Sequence, residues 1–566
     1  DTDGDGVLNP GESAIFTLAA SVESGPGMGE NVTGILSSPV DWIQFDPPTL
    51  TFNTLPANGN AIEASTSIIV DEIETLQSAD IHFTIQAEFE DEGETTIYAD
   101  EFTYNIAITL NQAGFPLSTA EIRSSPLIID WNGDGSNEII VGDYDGIIRI
   151  YREDGSEIIN SIYPFDTGNQ IWGSPASADL NNDGFPEIVI PSKSKSLVIF
   201  NYLSILTEYE TDTYLIGTPA IGNLDEDEEL EIAFAGYSPN NKIYAINPDG
   251  SNVDGFPLEF DEKVKGGIAL ADINGDGSIE FILGTDDDKV HAIQTDGNDV
   301  YGFPFQGGDK FQSSPSVLEF DGEIYIAAGC NDDVLYVLKS NGEIHFTFQT
   351  EDKVQTSPAF TLINNAPAVF FGSKDDKVYG LTLEGELLPG WPQSLNGDIM
   401  GSIVFADLNN DTQPEVIAMS EAGEMAVFHL DGSPYPYSPF MNTSPFKGAP
   451  ALVDLDGDGD VELMGGAGNN LSVIDYKIEG NVNNYWNIFR GNPQRTGFIS
   501  LESDSCGVGL ADVNGDGEIN ILDLVQISNL ILEISIPAFE CAADYTQDGE
   551  VNILDLVQIA NLILDS

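Results

Sequence analysis

The sequence predicts a mainly β protein whose largest part is a β-propeller, and three observations predict it. A unit recurs from about Ser125 to Lys477, opening at Pro126, Pro175, Pro219, Ile268, Pro315, Pro358, Ile403 and Pro450, a spacing of 43 to 49 residues. Each unit holds about four short apolar strands, and several units end on an aromatic-Pro step, as in Gly255-Phe256-Pro257, Gly302-Phe303-Pro304 and Gly390-Trp391-Pro392. In most units an acidic loop follows the first strand. A period near 45 with four strands per period is the pattern of a propeller, each repeat making one blade that buries its faces against its neighbours. Eight openings predict eight blades; seven result if an end unit is incomplete. A ring must close, and Gly114-Phe115-Pro116 reads as the last strand of a unit that lacks its beginning, so it completes the final blade.

The flanks lack this period. Residues 13–112 alternate apolar and polar side chains, as in Ala14–Leu18 and Ile81–Ala87, with Gly, Pro and Asn between the runs, which predicts an immunoglobulin-like (Ig-like) β-sandwich. Residues 500–566 change to two short helical stretches, each behind an acidic loop. The expected domains are a linker loop at 1–12, the sandwich at 13–112, the propeller at 113–499 and a small α module at 500–566.

Composition narrows the function. The 566 residues suit about three domains, and 41% hydrophobic side chains with 10% aromatics supply real cores, so the acidity sits on a folded protein. Ninety-five acidic residues against 18 basic ones leave a net charge of −77. Such a chain repels nucleic acid and anionic lipid, and no nucleic-acid partner is expected. No apolar run approaches the roughly 18 residues of a membrane span, so no direct membrane insertion is expected. The start at Asp1 rather than Met reads as a processed or truncated start, which leaves an extracellular or cell-surface location open.

The acidic loops point to calcium, which takes six to eight hard oxygens from alternate side chains of a short loop with a Gly at its sharp turn. Four blade loops have Asp, Asn, Asp and Glu at alternate places with a fourth residue in the seventh position. They are Asp130, Asn132, Asp134, Ser136 and Glu138; Asp179, Asn181, Asp183, Phe185 and Glu187; Asp272, Asn274, Asp276, Ser278 and Glu280; and Asp407, Asn409, Asp411, Gln413 and Glu415, the last with Thr412 where Gly is expected. A fifth is all acidic: Asp454, Asp456, Asp458, Asp460 and Glu462. A sixth, Asn223, Asp225, Asp227 and Glu231, departs from the pattern at its first and Gly positions, and the units at Pro315 and Pro358 have no such loop. At the N-terminus Asp1, Asp3, Asp5, Val7, Asn9 and Glu12 fit a twelve-residue calcium loop around Gly6.

The blade loops resemble those of the FG-GAP/VCBS propellers found in integrin α-chains and many bacterial surface proteins. The resemblance covers about residues 113–499. It implies calcium held on blade hairpins as a structural ion, and binding at a propeller face. The N-terminal loop is similar to the junctions of repetitive bacterial surface proteins, which implies a stiffening role.

The C-terminal loops are Asp512, Asn514, Asp516, Glu518, Asn520 and Asp523, and Asp544, Thr546, Asp548, Glu550, Asn552 and Asp555. Each runs into nearly the same helix, Ile521–Leu532 and Ile553–Leu564. A duplicated loop–helix with Asp in the twelfth place resembles a dockerin, which implies calcium and a cohesin-like partner. One departure weakens the standard pairing: positions ten and eleven hold Ile521-Leu522 and Ile553-Leu554 instead of hydroxyl residues, and residues 501–566 contain no Lys or Arg. The apolar surplus on these helices is expected either to dock a partner or to pack within the chain. Cys506 and Cys541 precede the two loops, and a bridge closing about 35 residues would contribute roughly 4 kcal/mol in the chain-entropy model.

In all, up to about nine Ca2+ ions are expected. No His, Cys or Ser motif for catalysis stands out, and His82, His291 and His345 lie in strand-like stretches. The segment Trp486–Gly497 is unusually basic and aromatic, suited to a glycan contact or to closing the propeller by packing. The expected function is a secreted, calcium-binding, non-catalytic adhesion or scaffold protein. A self-assembling filament subunit linked by its terminal calcium modules, and a calcium-dependent polysaccharide lyase, are the rival readings. Expected partners are a cohesin-like domain or a second copy of the chain, and a surface glycan.

Overall fold

The computed structural model describes residues 6–22, 28–57, 59–91, 93–225, 227, 229–501, 511, 513–514, 519–532, 534, 537, 540–543, 545 and 551–565. The described chain is mainly β, with two α-helices near its C-terminus. It separates into a large unit ending at Phe498 and a small unit that holds residues 499–566 together with two hairpin tips.

The large unit starts with two antiparallel sheets. One pairs Ser13–Ala20, Ile62–Val70 and Ile43–Asp46; the other pairs Thr49–Leu55, Gly29–Ser37, Ser78–Asp91 and Glu94–Ala107. Alternation puts Val32, Leu36, Leu50, Phe52, Ile68 and Ile81 into one shared core. Both alternating runs seen in the sequence fall inside these strands.

Eight further antiparallel sheets follow among the described residues, consistent with a propeller. In seven of them four strands pair in chain order, and one of these carries a fifth strand, Phe498–Leu501. The first sheet is Leu127–Ile129, Glu138–Gly142, Ile147–Tyr151 and Phe165–Asp166. The last takes its fourth strand from ahead of the repeats: Leu117–Ser118 pairs with Asn470–Glu479, with Leu117 opposite Leu471. The residues after Gly114-Phe115-Pro116 thus supply the strand that the eighth unit lacks. Ala451–Val453 of the last sheet also packs against Leu127–Ile129 of the first.

The first strand of each sheet is short, and several are rich in Ala, as in Ala176–Ala178 and Ala269–Ala271, where neighbouring first strands pack together. Second strands such as Glu187–Ser192 are buried along their whole length, with the apolar run 188–191 following the buried Glu187. The units at Pro315 and Pro358 turn tightly instead of making acidic loops, with positive φ at Asp321, Asn364 and Asn365, which Asp and Asn tolerate.

After the last sheet the chain runs along the free edges of the first strands. The carbonyls of Trp486, Asn487, Pro493, Gln494, Thr496 and Gly497 accept the backbone N–H groups of Phe405, Leu452, Ser177, Ile221, Leu270 and Val317. Edge N–H groups that would lack partners are thereby paired. Trp486, Arg490 and Arg495 are at most 1% exposed. Of the two roles open to this segment, the structure has the packing one.

Candidate calcium loops and the cation-lined mouth

The six blade loops share the placement of their closing glutamate. The closing glutamates Glu138, Glu187, Glu231, Glu280, Glu415 and Glu462 are all buried. Each accepts the backbone N–H of the residue after the first loop position, from Trp131, Leu180, Leu224, Ile273, Leu408 and Leu455. The loop Asn adds its amide, as in Asn132 to Glu138 (2.7 Å), Asn181 to Glu187 (2.9 Å) and Asn274 to Glu280 (2.7 Å). The first Asp accepts N–H groups from the tip: Asp130 from Gly133 and Gly135, Asp272 from Gly275 and Gly277. The Asp in the fifth position accepts from the seventh, as Asp134 does from Ser136, Asp183 from Phe185 and Asp411 from Gln413. Thr412, standing where Gly is expected, takes a φ of 71° and still donates its N–H to Asp407.

Burial without a cation sets the electrostatics. Burial pushes the carboxyls of Glu138, Glu231, Glu280 and Glu415 up to about 7, and the neighbouring loop Asp side chains push the same way against a backbone hydrogen bond. Burial also raises Asp460 and Glu462, which lie against each other. Two loops bring carboxylate oxygens within 4.8 Å of one another: Asp456, Asp458, Asp460 and Glu462, and Asp225, Asp227 and Glu231. In the other four no such group of three forms among the described residues. Glu231 Oε1, Asp460 Oδ1 and Glu462 Oε1 are buried with no hydrogen-bond partner. Converging hard oxygens, some orphaned, fit Ca2+.

Sequence reasoning missed the groups behind these glutamates. His429 Nδ1 lies 3.1 Å from Glu415 Oε1, and Asn201 Nδ2 lies 3.4 Å from Glu187 Oε1. Both residues immediately follow the third strand of their sheet, a register visible in the repeat.

At the N-terminus Val7, Asn9 and Glu12 are described, while Asp1, Asp3 and Asp5 lie outside the described residues. The Asn9 N–H donates to Glu12 (3.0 Å), and its side-chain amide donates to the Thr109 carbonyl (2.7 Å), fastening the loop to the end of the sandwich.

In the small unit α1 (Ile521–Ile531) and α2 (Ile553–Asp565) follow the two C-terminal loops. Asn520 caps α1, and Asp523 returns the bond to the Asn520 N–H (3.0 Å). Asn552 and Asp555 repeat the arrangement at α2 (2.8 Å). Asp523 and Asp555 are fully buried. Ile527 and Ile559 meet in a core with Ala511, Val513, Ala542 and Ala543. The apolar pairs at loop positions ten and eleven stay outside it, Ile521 and Ile553 at 67% and 68% exposure and Leu522 and Leu554 at 58% each. Asp512, Asp516, Glu518, Asp544, Thr546, Asp548, Glu550, Cys506 and the Cys541 side chain lie outside the described residues. Cys330 is buried, and burial pushes its thiol up to about 12.

At the end of the first strands away from the loops lies a mouth of about 170 Å3. It is bordered by residues three places before each unit opening, among them Arg123, Trp172, Lys265, Gln312, Gln355 and Lys447. All 18 Lys and Arg fall between Arg123 and Arg495. Nine sit on the connections and turns at this end of the sheets, Arg123, Lys263, Lys265, Lys310, Lys353 and Lys447 between sheets and Lys193, Lys195 and Lys374 on hairpin turns, and Lys242, Lys289 and Lys377 open third strands there. Basic residues that look scattered along the chain therefore converge. At Gly217 and Gly401 an added Cβ would stand 2.3 Å and 2.1 Å from the carbonyl oxygens of Gly266 and Gly448, so glycine lets adjacent backbones close the rim.

Residues 130–190 match the FG-GAP-like repeat family, a span that takes in the first two blade loops, and residues 510–564 match the dockerin type I domain family. Dockerin domains bind calcium and cohesin partners, and the two matches fit an extracellular, calcium-binding attachment role. No curated protein matches the chain. Among solved structures the chain is similar to BamB from Moraxella catarrhalis, at 15% identity over 64% of this chain and 100% of that one, with a TM-score of 0.43. Saccharomyces cerevisiae Sqt1 is similar at 12% identity over 65% and 99%, with a TM-score of 0.47. The C-terminal WD40 domain of Sif2 is similar at 14% identity over 65% and 98%, with a TM-score of 0.45.

Proposed function

We propose that this chain is a secreted, calcium-stabilised, non-catalytic scaffold in which an eight-bladed propeller presents a binding face and a dockerin-like module attaches it to a protein partner. An Ig-like sandwich at 13–112 precedes a propeller at 113–499, and the module occupies 500–566. Up to about nine Ca2+ ions are held by the loops named above, and a Cys506–Cys541 bridge staples the module in an oxidising extracellular setting.

The observation that carries this reading is the repetition of a buried closing glutamate at the same place in six sheets, with acidic side chains converging on it in two of them. A turn needs no such buried acid, whereas a structural cation does. When bound, calcium would neutralise the loop carboxylates and tie the start of each second strand to the end of the first. Attachment is supported by the dockerin match and by the duplicated apolar pairs, Ile521-Leu522 and Ile553-Leu554, which lie exposed beside the buried Asp523 and Asp555.

The test is titration of the full chain with a panel of cohesin domains, with calcium and with chelator, alongside sizing of the chain alone. Calcium-dependent binding that is lost in Ile521→Asp/Ile553→Asp supports the reading. Calcium-dependent polymers of the chain alone, with no cohesin binding, would favour the filament subunit instead.

A further inference from the structure

We propose that the cation-lined mouth binds a carboxylate-bearing sugar of an acidic polysaccharide, one sugar unit entering at a time. This names the ligand class for the binding face proposed above and rests on that reading.

The charge placement is the first argument. The chain carries −77 overall, yet Arg123, Lys265 and Lys447 line a single cavity. Their charge is not cancelled locally. Glu121 alone serves both Arg123 (2.8 Å) and Lys447 (3.3 Å). Lys265 makes no ion pair among the described residues, and its Nζ reaches only Gln312 Oε1 at 3.3 Å. Burial holds its ammonium below the ordinary lysine range against the pull of Asp286, and Lys374, Lys310 and Lys353 add to the effect. Acidic side chains on the outer turns pair with the outer lysines, Asp286 with Lys310 and Asp398 with Lys374, leaving the axial cations open. The acidic blade loops lie at the opposite ends of the first strands from the mouth.

Buried donors give an independent argument. The Ser402 hydroxyl lines the cavity at 2% exposure with no hydrogen-bond partner. Below the rim Arg490 is 1% exposed; its Nη1 has no partner and lies against Gly267. The other bonds of Arg490, and all those of Arg495, go to backbone carbonyls such as Ile268, Thr496, Pro175 and Pro126, so no carboxylate offsets either guanidinium. Of these, the Ser402 hydroxyl lines the cavity, and an unpartnered donor under a cationic rim suits an acceptor-rich anion.

Size and shape select the anion. A cavity near 150 Å3 holds about one six-membered ring, and this one is about 170 Å3. Nucleic acid fits poorly. Arg123 and Lys193 sit 4.7 Å and 4.2 Å from the Trp172 ring centroid, occupying the ring on which a base would stack. A dense phosphate polymer would also be repelled by the acidic remainder of the surface.

The test is calorimetric titration of the full chain, in calcium-saturated buffer, with a short oligogalacturonate, a neutral galactose oligomer of equal length and an oligodeoxynucleotide. The oligogalacturonate is expected to bind and the neutral oligomer not. Lys265→Gln and Lys447→Gln are each expected to weaken binding by roughly tenfold or more, the scale of one charge-assisted hydrogen bond, with unchanged melting curves. Lys339→Gln, at the far end of a third strand, is expected to change nothing. No uronate binding, equal binding by the neutral oligomer, equal binding by both variants, or equal or tighter binding of the oligodeoxynucleotide would overturn the inference. Calcium stabilisation and cohesin binding are read separately, so such a failure leaves the scaffold reading standing.

Discussion

The Ser125 hydroxyl accepts a 2.9 Å hydrogen bond from the backbone N–H of Ala449, 324 positions along the chain. The Ser125 N–H donates to Ser174 Oγ, and the Ser174 N–H to Thr218 Oγ1. On the far side Gly267 donates to Ser314 and Ser314 to Ser357. These residues stand one place before the unit openings, so a small hydroxyl residue there links neighbouring sheets, and Ser125 joins the last sheet to the first.

Ser125→Ala should therefore leave the buried Ala449 N–H without an acceptor and lower stability by about 1–3 kcal/mol. Ser402→Ala occupies the same place in its unit but removes a hydroxyl with no partner, and should cost much less. Chemical denaturation in saturating calcium compares the two; equal losses would contradict the account.

Glu280→Gln should act in opposite directions with and without calcium. In calcium it removes a ligand, forfeiting up to about 2.7 kcal/mol for a site held at a hundredfold excess of the ion. In chelator it removes a buried acid that Asp272 and Asp276 disfavour, and should leave stability unchanged or raised. Paired melting curves of the variant and the parent read the change of sign.

The same burial predicts a pH dependence for the metal-free protein. Glu138, Glu231, Glu280 and Glu415 hold their protons up to about 7 when folded, against an ordinary value of 4.5. The folded state thus binds more protons than the unfolded one between about 4.5 and 7, and stability falls as pH rises through that window. Melting in chelator should be higher at pH 5 than at pH 7.5. Calcium, which needs the carboxylates ionised, should protect more at pH 7.5 than at pH 5.

Arg495→Met should destabilise by several kcal/mol. It strips hydrogen bonds from the buried carbonyls of Pro175, Phe489 and Pro126, each costing about 1–3 kcal/mol when left unpaired. Denaturation of the full chain measures the loss, and a loss below about 1 kcal/mol would mean that the segment along the first strands is loosely held.

The repeats were legible because each blade loop is contiguous: Asp130 to Glu138 carries its whole acidic set within nine residues. The exposed apolar pairs Ile521-Leu522 and Ile553-Leu554 are contiguous in the same way. The cation mouth was not, since Arg123, Lys265 and Lys447 are far apart in the chain and come together only when the sheets converge. Their common place, three residues before a unit opening, is a signal that a register comparison of the units reveals. The role of Arg490 and Arg495 was hidden because their partners are backbone carbonyls, which leave no mark in side-chain identity.

The central claim, that calcium in the blade loops holds the ring together, is tested most directly by native mass spectrometry of the full chain paired with thermal unfolding at pH 7.5. The account predicts several retained Ca2+ ions per chain, their loss on chelation and a marked fall in melting temperature with that loss. A chain that retains no calcium and melts at the same temperature with and without chelator would contradict it.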